Sequence, residues 1–280
     1  MNTSNSLDPS PPLRCALSIA TSDSGSGAGI QADLKTFAAH RVYGLSVLSA
    51  VTAQNTMAVT ALGCLEPDLV SAQLQAIYDD IPVAAIKIGL LGSAANTDRV
   101  AEFLSRNYAG TALVLDPVMV STSGHTFLAR EAVLALKELM ALATVVTPNL
   151  PEAEALAGGP ITGPEDLRAA ARTILGTGTK YVLIKGGHGQ GPSADDFLLG
   201  PEGEYWFPGP RVDTINNHGT GCTLSSAICA NLALGLELKE AIRLAKDYVT
   251  EGLRQSIKLG HGPGPLNHFH PYYHFAGAEQ

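Results

Sequence analysis

Cysteine is scarce in this chain and carries no pattern: among 280 residues there are four, Cys15, Cys64, Cys222 and Cys229, with no CxxC pair. That density and spacing exclude a disulfide scaffold and leave reduced thiols as the default. Aromatic residues make up only 6%, too few for a surface that stacks nucleic-acid bases. Positive charge is short as well. Eighteen Lys and Arg against 26 Asp and Glu give a formal net charge of -8, which opposes a phosphate polymer but leaves room for a local site that holds one nucleotide. Nucleic acid is therefore not an expected partner. No apolar run reaches the roughly 18–20 residues of a membrane span, so no membrane partner is expected. The first residues lack the basic-then-apolar pattern of a secretory leader, which makes a cytoplasmic chain the expectation. Residues 1–12 read instead as a polar, disordered tail, where the sequon at Asn2 has no consequence, and residues 13–280 as one domain.

What the chain does have is glycine, 29 residues of it, with 45% hydrophobic and only 16% charged residues. This balance suits an α/β protein whose short loops carry function and whose buried strands take few charges. Short apolar runs at 15–20, 45–51, 84–88, 113–115, 144–146 and 181–184 read as strands buried on both faces. Between them, 68–78, 96–107, 128–142 and 165–175 show helical spacing, with Asn96 as an N-cap and Pro164 as a helix starter. Two hydrophobic helices follow at 222–234 and 238–257, after a weak strand or hairpin region at 197–207. The βαβα order predicts a mostly parallel sheet with helices on both faces, and ligands gathered beyond the carboxyl ends of the strands.

Two glycine-rich segments stand out. Ser22-Asp23-Ser24-Gly25-Ser26-Gly27-Ala28-Gly29 follows the first strand and opens a helix, yet Ile30 occupies the place of the third glycine of GxGxxG and no glycine precedes a lysine. Rossmann and P-loop readings both weaken, leaving either a close backbone approach to a ligand or a plain flexible turn. His218-Gly219-Thr220-Gly221-Cys222-Thr223 leads straight into an apolar helix. A glycine turn at a helix start converges free N–H groups and the positive end of the dipole, a place for an anion, although an ordinary glycine-rich helix start has the same look. Fixed donors of this kind stabilise a phosphoryl group in transfer. Cys222 lies in the first turn, where the dipole favours thiolate, so it reads as a candidate base for a substrate hydroxyl; packing is the other reading. Asp116 closes a strand, and Asn149 and Glu152 follow another in TPNLPEAE. Strand-end oxygens suit Mg²⁺, while Glu152 reads equally as a first-turn acid complementing a helix dipole. Lys185, at a strand end before Gly186-Gly187-His188, is placed to reach a phosphate.

Together with SDSGSGAGIQADLKTF at 22–37, TAQNT at 52–56, KIGLLGS at 87–93, LDPVMVSTSG at 115–124, TPNLPEAEAL at 147–156, IKGGH at 184–188, HGTGCTLSSAI at 218–228 and GPLNHF at 264–269, these residues make a chain that resembles the hydroxymethylpyrimidine and phosphomethylpyrimidine kinases of thiamine biosynthesis over nearly its whole length. The resemblance implies a three-layer α/β/α ribokinase-like fold, usually a homodimer. It implies that ATP phosphorylates 4-amino-5-hydroxymethyl-2-methylpyrimidine and then its monophosphate, with Mg²⁺. Carried over by residue, the pyrimidine pocket falls on Ala28, Gln54, Leu90, Val118 and Cys222, with Asp33 nearby. Gln54 is the group that recognises ring nitrogen and amine. The anion hole falls on Gly219, Thr220, Gly221 and Cys222, the nucleotide side on Lys185, Asn149, Thr214 and His218, and the metal contacts on Asp116 and Glu152. The chain departs from the family pattern at Thr21, Leu90, Ile215 and Asn217, where glycine, methionine, lysine and threonine are usual; the lost lysine removes a cation near the nucleotide. Two other functions share these motifs: a pyridoxal kinase of the same fold, and a pyrimidine-binding sensor without catalysis.

Overall fold

The computed structural model describes residues 13–119, 130–188 and 191–273. The expected tail at 1–12 and the latter part of the 115–124 string lie outside these. The first strand, β1 (Cys15–Asp23), is buried almost throughout and pairs in parallel with β2 (Tyr43–Gln54) on one side and β4 (Ala85–Ile88) on the other. Parallel pairing continues through β5 (Ala112–Leu115), β6 (Val145–Val146) and β7 (Tyr181–Ile184). These are the six apolar runs of the sequence. Runs of Val, Ile and Leu with so few polar interruptions suit strands covered on both faces. Only β2 departs, alternating between buried and half-exposed residues, because it has just one antiparallel neighbour beyond it.

That neighbour, β3 (Val59–Cys64), has no counterpart in the sequence reading: most of its residues are exposed and it shows no apolar run. At the opposite edge the weak region resolves into an antiparallel hairpin, β8 (Asp196–Gly200) and β9 (Gly203–Phe207), turning at Gly203. The nine strands lie in the order β3-β2-β1-β4-β5-β6-β7-β8-β9. Chain direction through the sheet reverses between β1 and β4. A crevice opens at such a switch point beyond the carboxyl ends, and this is where α/β sheets bind ligands.

Helices α1 (Gly29–Ala39), α7 (Thr220–Ala233) and α8 (Leu238–Arg254) cover one face, where Phe37, Ile228, Cys229 and Ile242 are fully buried against Ala85, Val114 and Leu183. Helices α2 (Pro67–Tyr78), α3 (Ala94–Asn107), α4 (Arg130–Leu142) and α6 (Pro164–Leu175) cover the other, with α5 (Leu150–Ala157) at its margin. The expected three-layer α/β/α arrangement with a mostly parallel sheet is what the chain adopts. Pro164 starts α6 as expected. The cap of α3 is Ser93 rather than Asn96, whose amide is drawn inward to the carbonyls of Ser49 (3.0 Å) and Leu65 (3.2 Å) and ties the helix to the β2 side of the sheet. No helix among the described residues is long and apolar enough to cross a membrane.

Phe37 is the largest of the fully buried side chains and carries α1 against β2, where Gly44 leaves room for its ring. Phe37→Ala should lower unfolding free energy by about 3–5 kcal/mol, from lost burial plus the cavity left behind. Urea unfolding followed by circular dichroism measures this; a loss below about 1 kcal/mol would mean that α1 is not anchored through this ring.

Candidate active site

The two glycine segments close on each other at the carboxyl edge of the sheet. Asp23, the last residue of β1, turns its carboxylate into the loop that follows: Oδ1 accepts from the Gly25 N–H (2.8 Å), and Oδ2 accepts from the N–H groups of Gly27 (3.0 Å) and Ala28 (2.9 Å). Burial pushes the Asp23 carboxyl up, but the His218 contact and these N–H donors outweigh it and hold the group below its ordinary value. The loop then lies flat against the second turn. A Cβ on Gly27 would stand 2.1 Å from the His218 ring, and one on Gly219 would stand 1.8 Å from the Gly27 carbonyl oxygen. Gly219 also has φ of 77°, a left-handed conformation that glycine adopts at least cost.

Gly219 is the N-cap of α7 and supplies no side chain to cap it. The Thr220 hydroxyl turns back to the Asn217 carbonyl (2.6 Å), and Thr223 bonds the Gly219 carbonyl with both its N–H and its hydroxyl, each at 2.9 Å. The N–H groups of Gly221 and Cys222 fall in the first turn, where a helix has no partner of its own to offer. The turn thus has the geometry that the sequence led one to expect, uncapped first-turn N–H groups with the positive end of a fourteen-residue helix behind them.

Against the turn stands a charged group from three neighbouring strand ends. Lys185 Nζ lies 2.8 Å from Asp116 Oδ1 and 3.9 Å from Glu152 Oε2. A Cβ on Gly221 would be 3.2 Å from that same Nζ and 3.6 Å from Asp116 Oδ2, so lysine, carboxylate and helix start are in direct contact. Burial pulls the Lys185 ammonium down, but Asp116 and Glu152 outweigh it and hold it above its ordinary value. Glu152 is also held above its ordinary value, but by burial, with nearby Asp116 adding to it, against the pull of Lys185. The first-turn reading of Glu152 is realised. Its carboxylate accepts from the Asn149 N–H (2.8 Å) while Asn149 Oδ1 accepts from the Glu152 N–H (2.8 Å), a reciprocal cap on α5. Asn149 therefore has its side-chain oxygen committed to the helix. Among the described residues no three His, Cys, Asp or Glu side chains converge as a metal cage. A buried pair of carboxylates with its acidity suppressed on one partner fits a magnesium ion that arrives on nucleotide phosphates, which needs one or two protein carboxylates and no more.

Beneath the turn lies a second ion pair with no exposure at all. Lys87 Nζ donates to Asp33 Oδ1 (2.9 Å) and Oδ2 (2.8 Å), and Ser226, one helical turn after Cys222, donates to Asp33 Oδ1 at 2.7 Å. Ser18 bonds the other oxygen at 2.5 Å. Asp33 thus sits one layer lower than the sequence suggests, with neither oxygen left to face a ring. Burial alone would discharge Lys87, but Asp33, with Cys222 and Asp116, holds its ammonium well above the ordinary value. Half-buried Cys222 does not meet the expectation of a thiolate. Burial pushes its thiol up to about 11; Lys87 pulls it back, while Asp33 and Asp116 push it further. The dipole of α7 acts on this group, but desolvation of the charged form wins.

On the other side of the turn, Gln54 ends β2 with its amide 3.3 Å from His218 Nε2, which itself lies 3.2 Å from Asp23 Oδ2. His218 is thereby set on the Gln54 side rather than beside Lys185. Ala28, Leu90 and Val118 are half-buried, and Leu90 offers its carbonyl to the Thr21 hydroxyl (2.9 Å), which ties β1 to β4 across the switch point. Thr214 bonds Ser256 (3.0 Å) and the Asn216 N–H (3.1 Å), and Ile215 is 73% exposed. Sequence reasoning assigns no role to Asp23 or Lys87. Lys87 had a signal, a charge inside the apolar strand Ala85–Ile88, where it cannot stay unpaired. The depressions around Pro208–Pro210, by contrast, gather no such groups from the strand ends.

The phosphomethylpyrimidine kinase family matches residues 23–267 of this chain. A hydroxymethylpyrimidine/phosphomethylpyrimidine kinase of Rhizobium meliloti (strain 1021) is 47% identical over 262 residues, which span 92% of this chain and 98% of that protein. Among solved structures, the phosphomethylpyrimidine kinase of Clostridium difficile 630 superposes with a TM-score of 0.76 at 44% identity, covering 85% of this chain and 98% of its own. The ADP complex of Bacillus subtilis pyridoxal kinase superposes with a TM-score of 0.85 at 38% identity, covering 91% and 97%.

The raised thiol has a consequence for reactivity. Only thiolate attacks iodoacetamide, so labelling of Cys222 should rise about tenfold per pH unit from pH 7 towards 10. Mass spectrometry of the Cys222 peptide, which separates it from exposed Cys64, follows the rate. A plateau reached by pH 8 would show that the helix dipole and Lys87 have overcome burial after all.

Proposed function

The chain belongs to the phosphomethylpyrimidine kinase family, and we propose that it transfers the γ-phosphoryl group of ATP to the hydroxymethyl oxygen of 4-amino-5-hydroxymethyl-2-methylpyrimidine and then to the phosphate of that product, in thiamine biosynthesis. The observation that carries this reading is the placing of the α7 start between a cation and an amide: Lys185 with Asp116 on one side, Gln54 with His218 on the other. A phosphoryl group held at the turn has a nucleotide side and a ring side.

In this reading the N–H groups of Gly221 and Cys222 and the Lys185 ammonium hold the negative charge that spreads over the transferred group. Fixed donors in a partly buried site cost no reorganisation during transfer. Asp116 and Glu152 would hold a magnesium ion, which would supply positive charge to the nucleotide phosphates, with Asn149 keeping Glu152 in place. Thr214 stands on the nucleotide side in the same assignment. Gln54 reads the aminopyrimidine edge, and Ala28, Leu90 and Val118 supply its apolar surroundings. The substrate oxygen bonds to phosphorus as the bond to ADP breaks, and the hydroxyl proton leaves towards Cys222 or the phosphate oxygens. With its thiol pushed up to about 11, Cys222 is mostly protonated at neutral pH and takes the proton only through its minor thiolate fraction. In a loose transfer the hydroxyl proton leaves late, so a strong base is not demanded. We also take residues 13–280 as one kinase domain, working as a homodimer in the cytoplasm.

A second reading is favoured by the fold match to the Bacillus subtilis pyridoxal kinase. The test is one purified preparation given ATP and Mg²⁺ with the aminopyrimidine, its monophosphate and pyridoxal in parallel. The pyrimidines should be turned over with higher kcat/KM than pyridoxal, since a buried amide left without its partner costs about 1–3 kcal/mol. Equal constants would favour the broader vitamin kinase, and binding without ADP release would favour a sensor. Cys222→Ala should lower turnover by about 10²-fold, the lower end of the range for a general base, and leave ATP binding intact; Cys222→Asp should restore part of it. An alanine variant within about threefold of full rate leaves the proton to phosphate or solvent.

A further inference from the structure

The side-chain contacts around Gln54 conflict with one another as placed, and their resolution carries a functional consequence. The Thr52 hydroxyl has one proton but faces two acceptors, the Ser22 carbonyl (3.0 Å) and Gln54 Oε1 (3.2 Å). His218 Nε2 faces Asp23 Oδ2 at 3.2 Å, which calls for an N–H, and also Gln54 Nε2 at 3.3 Å, which calls for a bare nitrogen. Amide oxygen and nitrogen are distinguished only by their bonding network. Turning the Gln54 amide by 180° removes both conflicts at once. Its nitrogen then donates to Thr52, freeing the Thr52 proton for Ser22, and its oxygen shares the His218 N–H with Asp23.

Which way round the amide sits is decided by Asp23. As a carboxylate it only accepts, and it is held ionised by the loop N–H groups of Gly25, Gly27 and Ala28. Neutral or protonated, His218 must then present a hydrogen on Nε2. We propose that Asp23 is a positioning residue for substrate choice: through the His218 Nε2–H it fixes the Gln54 amide with its oxygen on the His218 side and its nitrogen on the Thr52 side, so that the site accepts a ring only when an exocyclic amine lies towards His218 and a ring nitrogen towards Thr52. This rests on the pyrimidine reading of the site. The ligand class it selects is a heteroaromatic ring with an amino group beside a ring nitrogen, taken in one orientation. A ring that offers two acceptors, or no amine, gives the Gln54 oxygen no partner beyond the His218 N–H that it already shares with Asp23.

Two measurements test this. In the full-length wild-type protein with ¹⁵N-labelled histidine, long-range ¹⁵N–¹H correlation spectra should show His218 with Nε2 protonated. A His218 carrying its proton on Nδ1, with Nε2 bare, overturns the proposal without any appeal to activity. Calorimetric titration then compares 4-amino-5-hydroxymethyl-2-methylpyrimidine with its analogue lacking the amino group. The wild type should prefer the amine-bearing ring by about tenfold, as expected for one hydrogen bond to the Gln54 oxygen gained against none. Asp23→Ala, which leaves no acceptor facing His218 Nε2, should narrow this preference to within about threefold. An unchanged preference in a folded Asp23→Ala protein overturns the proposal; should that variant not fold, the wild-type spectrum decides alone. If the aminopyrimidine fails to bind even the wild type, the proposed substrate is wrong, while the proton position on His218 still stands or falls by its own spectrum.

Discussion

The site depends on how closely two stretches of backbone approach. Gly27 and Gly219 come from segments almost two hundred residues apart, and each leaves room only for a hydrogen where the other passes. A methyl group at either position would meet a carbonyl oxygen or the His218 ring well inside van der Waals contact. This interlock brings the end of β1 to the start of α7, and everything with a chemical role is arranged around it. The loop side is stiffened by one carboxylate, Asp23, which gathers three backbone N–H groups. The helix side is stiffened by Thr223, which bonds the cap carbonyl twice. Neither turn has a side-chain lid of its own, so each completes the other.

Charge is distributed on two levels around that junction. The upper level, Lys185 with Asp116 and Glu152, borders the helix start and stays within reach of a ligand. The lower level, Lys87 with Asp33, is sealed, and Asp33 accepts from Ser18 and Ser226 as well as from Lys87. A sealed pair of this kind contributes little net stability, because desolvation offsets most of the attraction. What it does supply is geometry. Through Ser226 it pins the first two turns of α7 to β1 and β4, and it places a fixed positive charge under Cys222. Desolvation nevertheless dominates that thiol, and Lys87 pulls it only part of the way back.

Much of this was legible in the residues. The six buried strands announce themselves as apolar runs, since a strand covered on both faces has no polar side to show. The glycine turn before an apolar helix marks a candidate anion site, because its first-turn N–H groups have no intrahelical partner and no side chain caps them. Asp116 and Lys185 are recognisable by their place at strand ends. Strand β3 was not legible, because an exposed edge strand needs no hydrophobic pattern. Asn96 misled because an amide that suits a helix cap serves equally well as a buried bridge between carbonyls.

The sequence by itself determined the alternation of strands and helices, the parallel sheet it implies, and the short list of candidate groups at its carboxyl edge. These follow from local pattern: periodicity, glycine, and charge next to an apolar run. Only the tertiary structure decided which of those groups meet. It put His218 beside Gln54 and Asp23 rather than Lys185, moved Asp33 below the site to neutralise Lys87, and committed Asn149 and Glu152 to each other. The physical reason is that hydrogen-bonding capacity and desolvation belong to a side chain's neighbours, and neighbours drawn from strands up to two hundred residues apart leave no trace in local spacing.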